Sequence, residues 1–245
     1  REGEYDSSWR GSVLMNTNIL LLGDSIIDNR SYVLKDELDV TAHLKKLYLD
    51  QPDVSITNNA VDGDTMYDLE CNHIDTPDVE EASHTVVSIG GNDLLHNISF
   101  LQRTSELSKI MGKDARIGKW GVKELNPSRN RVFEETYFEI IQPFTKQYET
   151  IVANLSNHRA KLLLCTVYEG DLVDSDEFSD VNNSSKTMVS LFNDIVYRTA
   201  NKYSADVLEL REIFVRPEDY ANPIEPSHIG GGKLAKAIQK WVHDV

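Results

Sequence analysis

Two rhythms of apolar positions run along this chain. Asn18–Gly23 (NILLLG) is a continuous apolar run ended by glycine, the pattern of a strand buried on both faces. Asp53–Asn59 carries Val54 and Ile56 at alternate positions and predicts a second strand. Thr85–Ile89, Lys161–Val167 and Ala205–Leu210 predict a third, fourth and fifth. Between the strands the period lengthens. Val40, Leu44, Leu47 and Tyr48 follow helical spacing, and Pro52 closes that element. Phe133, Tyr137, Ile140, Ile141, Phe144, Tyr148, Ile151, Val152 and Leu155 recur at three and four, predicting a long amphipathic helix with a kink at Pro143. Met188, Leu191, Phe192, Ile195 and Val196 mark another helix, and Leu234, Ile238, Trp241 and Val242 a closing one.

Strands alternating with helices imply right-handed βαβ crossovers and a parallel sheet covered on both faces. Neither a repeat nor a linker divides the chain, so residues 15–245 read as a single domain. Asn97–Arg131 stands apart, with weak periodicity and a series of basic residues from Arg103 to Arg131. An insertion of that length is a lid, a binding element or a disordered segment. Residues 1–14 are polar and precede the first strand-like run, as an extension or an expression-derived segment does.

Composition narrows the function classes. The 245 residues carry 25 Lys and Arg against 40 Asp and Glu, a net charge of −15. That balance argues against nucleic acid or an anionic membrane as a partner, since both need a basic surface. The longest clean apolar run, Ile19–Leu22, is far too short to span a bilayer. Two cysteines, Cys71 and Cys165, exclude a disulfide framework and a multi-cysteine zinc site. Cys165 ends an apolar run and is expected to be a buried core thiol. Arg1–Leu14 has no apolar stretch of the secretory kind, so a cytoplasmic location is the default expectation.

In an open parallel sheet, ligands bind outside the carboxyl ends of the strands. Gly23-Asp24-Ser25 follows the first strand, Asn58-Asn59-Ala60 and Gly63 the second, and Gly90-Gly91-Asn92-Asp93 the third. Glu225-Pro-Ser-His228 precedes the closing helix. Each piece alone is ordinary turn chemistry. Together they bring a hydroxyl, a loop glycine, a side-chain amide and a carboxylate/imidazole pair to one edge. That set supplies a nucleophile, donors for an oxyanion and a proton acceptor. Competing motifs fail. There is no Gly-x-Ser-x-Gly elbow, no Walker-type loop and no His-Glu-x-x-His. Gly230-x-Gly232-x-x-Ala235 lacks the preceding strand of a dinucleotide site. Asp171, Asp174, Asp176 and Asp180 lack the glycine turn and terminal Glu of a calcium loop.

These blocks resemble the SGNH hydrolases, also called GDSL-type esterases and lipases. Gly23-Asp24-Ser25 matches the first block, Gly63 the glycine of the second, and Gly90-Gly91-Asn92-Asp93 the Gly-x-Asn-Asp of the third. The resemblance extends from about Asn18 to Val242. It implies a flavodoxin-like α/β three-layer sandwich with a five-stranded parallel sheet. It also implies Ser25 as nucleophile, and an oxyanion hole made by the N–H groups of Ser25 and Gly63 and the amide of Asn92. The last block departs from the family's Asp-x-x-His. Read as Glu-x-x-His, Glu225-Pro-Ser-His228 keeps a histidine. Aligned on Pro-Ser-x-x-Gly, the same stretch puts Glu225 in the histidine's place and Asn222 in the aspartate's. A carboxylate of ordinary pKa is a weak base for a serine, which favours His228 as general base, with Glu225 orienting it.

The expected activity is hydrolysis of a small-molecule carboxylic ester through a Ser25 acyl-enzyme, with no metal or organic cofactor. The competing expectation is a binding module that keeps the pocket and has lost efficient catalysis through its altered last block.

Overall fold

A computed structural model describes residues 16–97, 137–170 and 179–244. The predicted insertion beyond Asn97, the Asp171–Asp176 stretch and residues 1–14 lie outside the described residues.

Five parallel strands form one sheet in the order β2-β1-β3-β4-β5. They are β1 (Thr17–Gly23), β2 (Val54–Asn58), β3 (His84–Ser88), β4 (Lys161–Cys165) and β5 (Asp206–Leu208). The helices are α1 (Val40–Leu47), α2 (Met66–Asn72), α3 (Pro77–Glu81), α4 (Gly91–His96), α5 (Gln142–Ser156), α6 (Ser179–Tyr203) and α7 (His228–Asp244). The expected flavodoxin-like three-layer arrangement is the one found.

The sheet explains the unbroken apolar run of β1. Successive side chains of a strand point to opposite faces. Leu20 and Leu22 pack with Met66 and Leu69 of α2, Tyr148 and Ile151 of α5 and Phe192 of α6. Ile19 and Leu21 pack on the other face with Val40 and Leu44 of α1 and Leu234 and Ile238 of α7. Both faces are covered, so every position of the strand is apolar. Cys165, at the end of β4, is buried in the second of these layers.

Two predicted elements differ. The long helix is π-helical over Tyr137–Ile141 and continues directly into α5, with Pro143 as the second residue of α5. The fifth strand is three residues long, because Leu210 already begins a 3₁₀ turn, Leu210–Glu212. Among the described residues no helix is long and apolar enough to cross a membrane.

β1 lies between β2 and β3, and the chain leaves β1 towards β2 on one side and β3 towards β4 on the other. The carboxyl end of β1 is therefore the switch point at which open α/β sheets form their ligand crevice.

Candidate active site

Gly23 ends β1 at φ 145°, and a Cβ there would overlap the Ser88 carbonyl of β3. Only glycine allows the two strand ends to approach this closely. Asp24 N–H then donates to Ser88 O (3.1 Å), and the N–H groups of Ile27 and Asp28 donate to Asp24 O (3.1 and 3.0 Å). This tight turn holds Ser25, 5% exposed, at the sheet edge.

The loops after β2 and β3 are tied to that turn. Val61 N–H donates to Gly23 O (3.0 Å). Gly63 follows, exposed and at φ 90°, a conformation that disfavours other residues. Among the described residues, the N–H groups of Ser25 and Gly63 donate to nothing else, which leaves both open to a ligand. Asn92, in the first turn of α4, donates from Nδ2 to Asp64 O (2.9 Å), which orients its amide; the second Nδ2 proton is unused by that bond. Asp93 accepts from Met66 N–H (3.0 Å) at the start of α2 and locks the two loops together.

The last block is pinned from several sides. Asn222 Oδ1 accepts from the N–H groups of Ile224 and Glu225, each at 2.9 Å. Ala221 N–H donates to Glu225 O (2.8 Å), Tyr168 Oη to Ile224 O (2.6 Å), and the buried Asn29 Nδ2 to Pro226 O (3.0 Å). These bonds bring the Glu225 side chain, 6% exposed, to the pocket wall beside Ser25.

His228 is not brought to Ser25, which corrects the expectation that its imidazole lies within reach of the serine hydroxyl. The Ser227 hydroxyl caps α7, accepting from the N–H groups of Ile229 (3.1 Å) and Gly230 (3.2 Å). His228 is thereby the first helical residue and faces α1. Its Nδ1 lies 3.1 Å from Leu38 N and 3.0 Å from His43 Nε2, with the two rings 4.6 Å apart. The structure thus brings Ser25, Asn92 and Glu225 to one pocket and leaves His228 outside it.

The charge states follow from burial. Desolvation pushes Asp24 up to about 8; the Ile26 N–H opposes this, and the nearby Glu225 and Asp93 add to it. Asp24 is therefore mostly neutral at pH 7. Burial also raises Glu225, with the nearby Ser25 hydroxyl pulling it down and Asp62 pushing it up. A carboxylate raised in this way is a better proton acceptor than an exposed one.

Beyond Ser25 a cavity of about 90 Å³ opens between the ends of β3 and β4. Ile89, Leu94, Leu95, Val167, Met188 and Val189 make most of its wall apolar. Sequence reasoning missed Asp24, Asn29 and Tyr168 as parts of the site. Asp24 was visible only as a turn residue, and the other two reach the site across 197 and 56 residues.

Such a sheet, with serine, glycine and asparagine carried at successive strand ends, defines the class as an SGNH-type carboxylic ester hydrolase. Residues 19–228 match the family described as GDSL-like lipase/acylhydrolase, and the chain belongs to that family. No curated protein matches the sequence. Among solved structures, an acetyl xylan esterase, AlAXEase, is similar at 17% identity and TM-score 0.58, over 92% of this chain and 99% of its own. An extracellular lipase from Streptomyces rimosus is similar at 12% identity and TM-score 0.61, over 91% and 99%. An acetylxylan esterase from Geobacillus stearothermophilus gives 14% and 0.58, over 92% and 94%. Variants of this last enzyme with a serine or a histidine replaced by alanine are described as catalytic mutants.

Proposed function

We propose that the chain hydrolyses esters of apolar carboxylic acids through a Ser25 acyl-enzyme, with Glu225 standing where the family places histidine. The observation that carries this reading is a buried carboxylate of raised pKa, Glu225, on the same pocket wall as the Ser25 hydroxyl. Ser25 Oγ attacks the acyl carbon while Glu225 takes its proton. The N–H groups of Ser25 and Gly63 and the Asn92 amide hold the developing oxyanion. Collapse expels the alcohol, which takes the proton back from Glu225. A water then attacks the acyl-enzyme, Glu225 again accepting a proton, and Ser25 is released. The acyl chain lies against Ile89, Leu94, Val167 and Met188. Asp24, held neutral by burial, adds no second negative charge beside the oxyanion at pH 7.

The binding-module reading has one observation in its favour, the absence of an imidazole beside Ser25. Fluorophosphonate labelling and p-nitrophenyl butyrate turnover separate the two. Hydrolysis predicts labelling that Ser25→Ala abolishes, and turnover that Glu225→Gln lowers by about 10²–10⁴. His228→Ala should leave turnover within a few-fold. A folded wild type that is neither labelled nor active sinks the hydrolase reading. A His228→Ala effect as large as that of Glu225→Gln sinks the assignment of the base.

A further inference from the structure

The loops that carry Gly63 and Asn92 meet at one residue, Asp64. Its N–H donates to Val61 O (3.1 Å), closing a turn whose third residue is Gly63 at φ 90°. Its carbonyl accepts from Asn92 Nδ2 (2.9 Å), so the place of that oxygen sets the direction of the Asn92 amide. The Asp64 side chain is held by the far end of α2. Thr65, the next residue, caps that helix through a reciprocal pair with Asp68. His73 ends the helix, its N–H donating to Leu69 O (3.1 Å). From there its ring reaches back, and Nε2 lies 3.0 Å from Asp64 Oδ2.

The His73 and Asp64 side chains are only 18% and 14% exposed. Asp64 Oδ2 is buried and makes no aligned hydrogen bond, so the contact with His73 is what offsets its burial among the described residues. Burial, Asp68 and Asp28 push the Asp64 carboxyl up, and His73 pulls it down. A buried carboxylate oxygen is costly unless a donor or a positive charge stands beside it. Without the ring it turns towards water and takes the Asp64 backbone with it. The carbonyl that orients Asn92 then loses its fixed place.

We propose that His73 is a positioning residue of the oxyanion hole: by facing Asp64 Oδ2 it fixes the Asp64 carbonyl to which the Asn92 amide donates. This rests on the hydrolase reading, in which Asn92 holds the oxyanion. His73 does not touch the substrate. It acts through Asp64, and what it supplies is the aim of a donor whose value depends on being in place before the charge develops.

The test is steady-state kinetics of p-nitrophenyl butyrate hydrolysis with His73→Ala, His73→Gln and each of these combined with Asn92→Ala. Losing an oxyanion donor outright costs about 10²–10³ in kcat, and loosening one should cost about tenfold in His73→Ala, with KM within about twofold. Glutamine places an amide N–H where the imidazole Nε2 stood, and His73→Gln should recover most of that loss. In the Asn92→Ala protein the same His73→Ala change should cost about threefold or less, because the group it aims is gone. An unchanged kcat, a loss seen in KM alone, a loss that His73→Gln does not relieve, or the full loss in the Asn92→Ala protein overturns the proposal. A loss matched by the unfolded fraction in urea unfolding overturns it as well. A second readout needs no turnover. The Asn92 side-chain amide resonances, identified by their absence from the Asn92→Ala spectrum, should move in His73→Ala and return towards their wild-type positions in His73→Gln. Resonances that stay in place overturn the proposal, whereas failure of the hydrolase reading appears separately as an unlabelled, inactive wild type.

Discussion

Replacing Asp24 by asparagine probes the carboxyl next to the nucleophile. Its pKa rises from the ordinary 3.8 to about 8, chiefly through burial. In the unfolded chain the same carboxyl ionises near its ordinary value. Between about pH 4 and pH 8 the folded state therefore keeps a proton that the unfolded state has lost, and stability falls as pH rises. One such group gives a slope of about 1.4 kcal/mol per pH unit. Its contribution is fully present below about pH 4 and gone above about pH 8, a total on the order of 5 kcal/mol. That is a large share of the 5–15 kcal/mol or so that holds a typical domain together. Asparagine has the shape of the protonated carboxyl and keeps an Oδ1 to accept the Ile26 N–H, now at 3.1 Å, but it cannot ionise. Asp24→Asn should match the wild type near pH 4 and exceed it by several kcal/mol near pH 8. Urea unfolding at a series of pH values reads this as a growing difference in midpoint at constant m-value. Parallel curves for the two proteins, or a variant less stable at high pH, would refute the reasoning. Either result would mean that Asp24 is ionised in the native state and held there by a favourable interaction.

Asn92→Ala removes a proposed oxyanion donor and should lower kcat by about 10²–10³ while changing KM little; a pure KM effect in steady-state kinetics would make it a substrate-positioning residue. Asp219, fully buried, accepts from Lys233 Nζ and from the N–H groups of Val215 and Arg216. Asp219→Ala should cost about 3 kcal/mol in urea unfolding, at the low end for a buried pair because Lys233 keeps some access to water. Tyr168→Phe removes the 2.6 Å bond to Ile224 O and should cost about 1 kcal/mol of stability. Its kcat should fall more than its stability alone explains, because that bond helps hold Glu225 beside Ser25; an unchanged kcat would remove Tyr168 from the site.

The sheet was legible because parallel strands covered on both faces need nearly continuous apolar runs. Asn18–Gly23 and Thr85–Ile89 show this without reference to any other part of the chain. The short helices α2, α3 and α4 went unpredicted. At 7, 5 and 6 residues they are too brief to establish a helical period. Their starts are set by local and tertiary bonds, such as the Thr65–Asp68 capping box and the Asp93 bond to Met66 N–H.

By itself the sequence determined that βα units alternate, that Ser25, Gly63 and Asn92 follow successive strands, and that the chain carries an excess of acid. Each of these depends on local patterning or on composition. Two alignments of the last block were equally compatible with those facts, because Glu225 and His228 lie within one turn of each other. Only the tertiary structure decided which side chain stands beside Ser25. Ser227 caps α7 and sends His228 towards His43, while Asn29, Tyr168 and Ala221 hold the Glu225 backbone at the sheet edge. The same is true of Asp24, whose residue type gives no sign of its neutrality. Its pKa is set by how much water the surrounding fold excludes, and that exclusion is assembled from strands and loops distant in the chain.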